Sequence, residues 1–344
     1  MNRRALIAAP LALAACSGPP VAEAQVDIPP LKSVAPFPLG VAAMTEQFDD
    51  SAWGEVVGTH FDRVTPEWEM KAEAFAREDG TYDFSRADRL VGRATGRGLS
   101  VFGHTIVWYT QAPAFLQRLT GDRRAFEEAY GRYVRTVAGR YRGRVVAWDV
   151  VNEPVLDDGQ GYRTRHAFHE ALGIDYVRLA FEHAREADPA AVLFLNDYNL
   201  EQLPKKRRDF LRLAESLLKA GAPLGGLGTQ THVPADLPVG AMDETLRDLA
   251  SLGLPIHVSE VDISANRARG RHEPERVAAE IVDAFQGLPE RLRWGVTIWG
   301  ARHGDSWLNR GEEKNPLRPD RPLLFDDQGR PTSTAAAFVR ALTT

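Results

Sequence analysis

The chain has 344 residues, 44% of them hydrophobic and 26% charged, an ordinary balance for a globular protein. Its formal net charge of −5 at pH 7 gives no reason to bind nucleic acid or an anionic membrane, and a neutral polymer meets no electrostatic obstacle. The one cysteine, Cys16, excludes an internal disulfide.

The first 24 residues have the pattern of a targeting segment. Arg3 and Arg4 precede an apolar run from Ala5 to Ala15, too short to span a bilayer as a helix. Leu13-Ala14-Ala15-Cys16 resembles a bacterial lipobox, in which the cysteine becomes the lipidated first residue of the mature protein. The alternatives are a plain secretory signal cut near Ala22-Glu23-Ala24, or a twin-arginine signal, which Asn2-Arg3-Arg4 loosely resembles. Each implies export: a periplasmic or cell-surface lipoprotein anchored through Cys16, otherwise a secreted protein. Proline and alanine then mark a tether running to Ser33, with residues 25–33 as linker. Residues 34–344 suffice for one barrel-sized domain, expected to be a monomer.

Eight apolar strand candidates follow, at residues 38–43, 61–67, 99–108, 145–153, 191–197, 226–230, 256–263 and 295–299. Between them, segments such as 123–141, 174–187, 205–220, 241–252 and 274–285 carry apolar residues at helical spacing with polar faces between. Strand and helix in alternation predict a parallel sheet, and eight units predict a closed (β/α)₈ TIM barrel with its site at the strand carboxyl ends. An open doubly wound sheet is the alternative. It usually carries a glycine-rich phosphate turn after its first strand, and Ala43-Met44-Thr45-Glu46 is not one.

The fourth strand candidate runs Val145-Val146-Ala147-Trp148-Asp149-Val150-Val151 and ends in Asn152-Glu153-Pro154. Proline stops the ladder, so the strand delivers a carboxylate at its end beside an amide that can donate to a hydroxyl. The seventh candidate delivers Glu260 in the same manner, followed by Asp262. Two carboxylates on separate strand ends are what glycoside hydrolysis requires: one protonated to serve the leaving oxygen, one ionised to attack. The other strand ends collect Glu67, Trp68 and Lys71; His104, Trp108 and Gln111; Asn196-Asp197-Tyr198-Asn199; Gln230 and His232; and Trp299 with Trp307. Pyranose hydroxyls need such hydrogen-bonding groups, and the apolar ring faces need such aromatic platforms. His166-Ala167-Phe168-His169-Glu170 lacks the zincin order, and the basic run from Lys205 to Arg208 fits the solvated start of a helix. No metal and no cofactor is expected.

Together, Thr65-Pro66-Glu67, Gly103-His104-Thr105, Trp148 to Glu153, Asn196 to Asn199, Gln230-Thr231-His232, Ser259 to Ile263 and Trp299-Gly300 resemble glycoside hydrolase family 10, the endo-1,4-β-xylanase family. The likeness runs from about Leu39 to Phe338. It implies retaining hydrolysis of xylan or xylo-oligosaccharides, with Glu153 as acid/base and Glu260 as nucleophile. Asn152 then bonds the sugar 2-hydroxyl, and His232 with Asp262 supports the nucleophile. It also implies substrate binding by Glu67, Trp68, Lys71, His104, Trp108, Gln111, Tyr198, Gln230, Trp299 and Trp307. Four positions depart from the family pattern: Trp68 replaces an asparagine, Ala72 and Phe115 replace tryptophans, and Tyr109 replaces a histidine. Trp68 exchanges hydrogen bonding for bulk, so the distal glycone subsite is expected to be stacked, reshaped or blocked. A β-1,4-glucan, decorated or short-oligosaccharide substrate therefore stands as an alternative, as does a surface carbohydrate-binding lipoprotein that has lost catalysis.

Overall fold

The structure is a computed structural model describing residues 26–310, 314 and 318–344. The expected signal segment and Cys16 lie outside these residues.

The strands are β1 (Leu39–Ala43), β2 (Arg63–Pro66), β3 (Ser100–Trp108), β4 (Val145–Asn152), β5 (Val192–Asp197), β6 (Gly226–Thr229), β7 (His232–Pro234), β8 (Ile256–Ser264) and β9 (Arg293–Ile298). Every pairing between them is parallel. The order β6-β5-β4-β3-β2-β1-β9-β8 closes through β6–β8, giving the eight-stranded barrel that alternation predicted. The eight expected strands are β1–β6, β8 and β9. The three-residue β7 was not expected, and it pairs with β8 alone.

Among the described residues, eight helices of ten residues or more pack outside: α1 (Ser51–His60), α2 (Ser85–Thr95), α3 (Arg123–Arg140), α4 (Asp175–Ala187), α5 (Pro204–Lys219), α6 (Ala241–Ala250), α7 (Pro274–Gln286) and α8 (Ser333–Thr343). Their starts follow local chemistry. Asp50 accepts the Ala52 and Trp53 amides ahead of α1, Asp122 caps α3, and prolines occupy the first turn of α5 and α7.

The strands are buried on both faces, so they read as near-continuous apolar runs. Outward residues such as Val101, Trp148 and Leu193 join the main core under the helices. Inside the barrel, Phe102, Ala147 and Phe194 form a separate cluster against Trp294. His257 packs 4.5 Å from the Phe102 ring and the Arg63 guanidinium lies 5.0 Å over Trp294. This plug fills the interior below the strand ends, so polar groups carried past it face a cleft rather than a pore.

Candidate active site

Among the described residues, three that are not glycine adopt the left-handed backbone: Glu153 (φ 56°), Asn199 (φ 57°) and Thr231 (φ 63°). Each follows the end of a barrel strand, where the chain leaves its ladder. Such conformations cost on the order of 1–3 kcal/mol each and persist where the surroundings over-determine them. At Glu153 the surroundings are visible: its amide donates to the Asn196 carbonyl at 2.8 Å, turning the side chain in over the barrel mouth.

One row of cross-strand partners, Trp108–Asn152–Asn196–Gly228, runs over β3, β4, β5 and β6. It places the amides of Asn152 and Asn196 side by side. Asn196 Nδ2 donates to Asn152 Oδ1 at 2.9 Å and to Glu260 Oε1 at 3.0 Å, while its Oδ1 accepts from Ser259 at 2.8 Å. A Cβ on Gly228 would sit 2.3 Å from that Oδ1, so the row needs glycine there. Asn152 Nδ2 donates to Glu153 Oε1 at 3.2 Å, and Gln230 Nε2 donates to the same oxygen at 2.9 Å. Glu153 Oε2 accepts from Trp108 Nε1 at 2.8 Å. Amide side chains thus connect the two glutamates.

The two carboxyl groups occupy different surroundings. Glu153 is half-buried, while Glu260 is 4% exposed. Burial works to raise the Glu260 carboxyl, but the nearby His104, the His232 hydrogen bond and charge, and Lys71 outweigh it and hold the group below its ordinary range. His232 Nε2 donates to Glu260 Oε2 at 3.3 Å and its Nδ1 donates to Asp262 Oδ2 at 2.7 Å. Burial alone would lower His232; the Asp262 charge and hydrogen bond, then Glu260, push it up to about 10. It is therefore an imidazolium, with both nitrogens donating. The β7–β8 pairing sets this up by placing His232 opposite Asp262. Trp307 Nε1 also donates to Asp262 Oδ2, at 2.8 Å.

On the other flank, His104 Nδ1 lies 2.8 Å from Asp149 Oδ2 and 4.0 Å from Glu260 Oε1. Burial pushes Asp149 up to about 6 against the opposing His104. Donor atoms of His104, Asp149 and Glu260 lie within 4.8 Å of one another, and the histidine nitrogen is already committed to Asp149.

These groups open onto a cleft of about 890 Å³. Of the residues expected to bind substrate, Glu67, Lys71, His104, Trp108, Tyr198, Gln230, Trp299 and Trp307 line it, with Asn152, Glu153, His232 and Glu260. The Lys71 ammonium stands 4.9 Å over the Trp108 ring, and Glu67 is salt-bridged to Arg310. Trp299 and Trp307 meet the His232 ring at 6.1 and 5.3 Å, forming an aromatic wall beside Glu260. Asp262 stands behind His232. Trp68 and Gln111 are not in the lining: Trp68 Nε1 donates to Glu73 at 2.7 Å with Arg86 5.0 Å over its ring, and Gln111 accepts the Glu73 amide at 3.4 Å. Ala72 is buried, Phe115 packs between Tyr82 and Tyr133, and Tyr109 lies against Arg163. Asn196, grouped in the sequence with the other strand-end hydrogen-bonding residues, had no individual role there; its bridge between Asn152 and Glu260 appears only when β4, β5 and β8 meet.

Residues 32–341 match the model of glycosyl hydrolase family 10. Beta-1,4-xylanase of Dictyoglomus thermophilum is 33% identical over 318 residues, covering 89% of this chain and 89% of that protein. Endo-1,4-beta-xylanase A of Caldicellulosiruptor sp. (strain Rt8B.4) is 35% identical over 86% of this chain, which spans 45% of that longer protein. A solved mutant of P. fluorescens subsp. cellulosa xylanase A in complex with xylopentaose superposes with a TM-score of 0.81 at 31% identity, covering 91% of this chain and all of that one.

Proposed function

The chain belongs to glycosyl hydrolase family 10, and from that premise we propose that it cleaves internal β-1,4-xylosidic bonds of xylan or xylo-oligosaccharides with retention of configuration. The observation that carries this reading is the difference in setting between two glutamates in one cleft: Glu260 buried and held anionic, Glu153 half-buried at the rim and linked to it through amides. Glu260 attacks the anomeric carbon while Glu153 gives its proton to the departing glycosidic oxygen, forming a glycosyl-enzyme ester. Glu153, now anionic, takes a proton from water as that water displaces Glu260. His232 keeps Glu260 ionised, and Asn152 bonds the sugar 2-hydroxyl. Trp299 and Trp307 offer platforms to the sugar rings. No step calls for a metal or cofactor.

Two features support a xylose-based chain as substrate: the names carried by the relatives and the xylopentaose bound in a structural neighbour. The alternative β-glucan or decorated substrate rests on Trp68, which stands at the Glu67 end outside the cleft lining. The experiment is the product profile from linear xylo-oligosaccharides with cello-oligosaccharides in parallel. Internal cleavage of the xylose series alone is the expected result. Preference for the cello series, or release of single sugars only, would overturn the substrate and keep the chemistry.

Export, with Cys16 as lipid attachment point, is the localisation we propose from residues 1–24. Cys16→Ser is expected to release the protein from membranes into the soluble exported fraction.

A further inference from the structure

Beyond the end of β4 the chain turns through Glu153 in a left-handed conformation, and something other than the sheet must hold its carbonyl side. Arg163, ten residues on, does so from two directions. Its backbone amide donates to the Pro154 carbonyl at 2.8 Å, and its side-chain Nε donates to the Glu153 carbonyl at 3.1 Å. The guanidinium is itself fixed. Tyr109 lies 4.3 Å beneath it, Tyr198 accepts from its Nη2 at 2.8 Å, and Asp157 lies 3.6 Å away. The Arg163 carbonyl accepts from His166 Nε2 at 3.0 Å, with burial holding that ring neutral at about 4.

The partners are anchored in turn. The Tyr198 hydroxyl donates to Asp157 at 2.9 Å. Lys206, fully buried, donates to both Asp157 and Asp197 at 2.8 Å and sits 3.3 Å over the Tyr198 ring. Asp197 Oδ2 accepts the Val155 amide at 3.1 Å. The segment 153–155 is thus clamped at consecutive residues through its backbone, whereas the Glu153 carboxyl takes its hydrogen bonds from Asn152, Gln230 and Trp108.

We propose that Arg163 is a positioning residue for Glu153: by holding the carbonyl of a strained residue it aims the carboxyl at the leaving oxygen. Tyr109, which departs from the histidine of the family pattern, serves as the platform that keeps the guanidinium in register. The proposal rests on the acid/base reading of Glu153. Proton transfer is intolerant of displacement, and an error of about 1 Å can cost about 10²-fold in rate. The general acid matters most when the leaving group is poor.

The test compares kcat/KM on phenyl β-xylobioside and 2,4-dinitrophenyl β-xylobioside for Arg163→Met and Arg163→Lys, each in the native and the Glu153→Ala background. Thermal unfolding identifies a variant that does not fold. Arg163→Met, which keeps an unbranched stem, should lose about 10²-fold on the phenyl substrate and far less on the dinitrophenyl one. Arg163→Lys, which retains one donor, should recover part of the loss and carries the same comparison if the methionine variant fails to fold. In the Glu153→Ala background, Arg163→Met should cause no further loss, because a residue acting through Glu153 has nothing left to position. Equal losses on both substrates, or the same loss with and without Glu153, would reduce Arg163 to a structural clamp and overturn the proposal. A Glu153→Ala enzyme without leaving-group dependence would instead remove the acid reading, and the proposal with it.

Discussion

Glu260 has almost no contact with solvent, yet its charge is stabilised, by the nearby His104 and by His232, which stands between it and Asp262 as an imidazolium. Removing that cation while keeping the shape, as in His232→Asn, should raise the Glu260 carboxyl and move the acid limb of the kcat/KM profile to higher pH. A pH–rate profile checks this, and an unmoved limb would deny His232 its role. The same pair sets a stability trend. His232 is raised from an ordinary 6.5 to about 10 in the fold, so its contribution is complete below about 6.5 and is lost as pH rises toward 10. Thermal melts between pH 7 and 10 should fall more steeply for the native protein than for His232→Asn. The sequence offered Glu153, Glu260, His232 and Asp262 because each sits in a strand-end motif with recognisable chemistry. Arg163 had no such signal. It lies in an irregular stretch, and its value comes from the carbonyl it reaches.

At the scale of elements, apolar runs bounded by polar ends made the eight barrel strands legible, since a strand buried on both faces has little choice of residue. Strand β7 was not legible: three residues carry no periodicity, and its pairing with β8 is what aligns His232 with Asp262. Among the helices, α2 and α4 to α7 show a clear apolar stripe, whereas α1 carries Gly54 and Gly58, and α3 and α8 spread their apolar residues more widely around the axis, which blurs the contrast between faces. The row from Trp108 to Gly228 depends on register, which spacing within one strand cannot give. Gly228→Ala should push the Asn196 amide out of line, costing about 1–3 kcal/mol in stability by overpacking and lowering kcat as well. Urea melts and initial rates measure both, and a stable enzyme with unchanged kcat would show that the Asn196 bridge is dispensable.

The whole molecule presents a barrel whose interior is plugged by Phe102, Phe194, His257 and Trp294, with its chemistry confined to one rim. With a net charge of −5 and an uncharged substrate, long-range steering should contribute little. Rates on linear xylo-oligosaccharides should change less than about twofold as salt rises from low to roughly physiological strength, since the charges that matter are buried and weakly screened. A steep salt dependence would point to an acidic substrate. In the proposed mechanism the two glutamates divide the labour, Glu260 as nucleophile and Glu153 as acid/base, and trapping the covalent intermediate tests this directly. Incubation with 2,4-dinitrophenyl 2-deoxy-2-fluoro-β-xylobioside, then peptide mass spectrometry, should find one fluoroxylobiosyl group on Glu260. No label, or a label on any other side chain, would overturn the assignment of Glu260 as nucleophile.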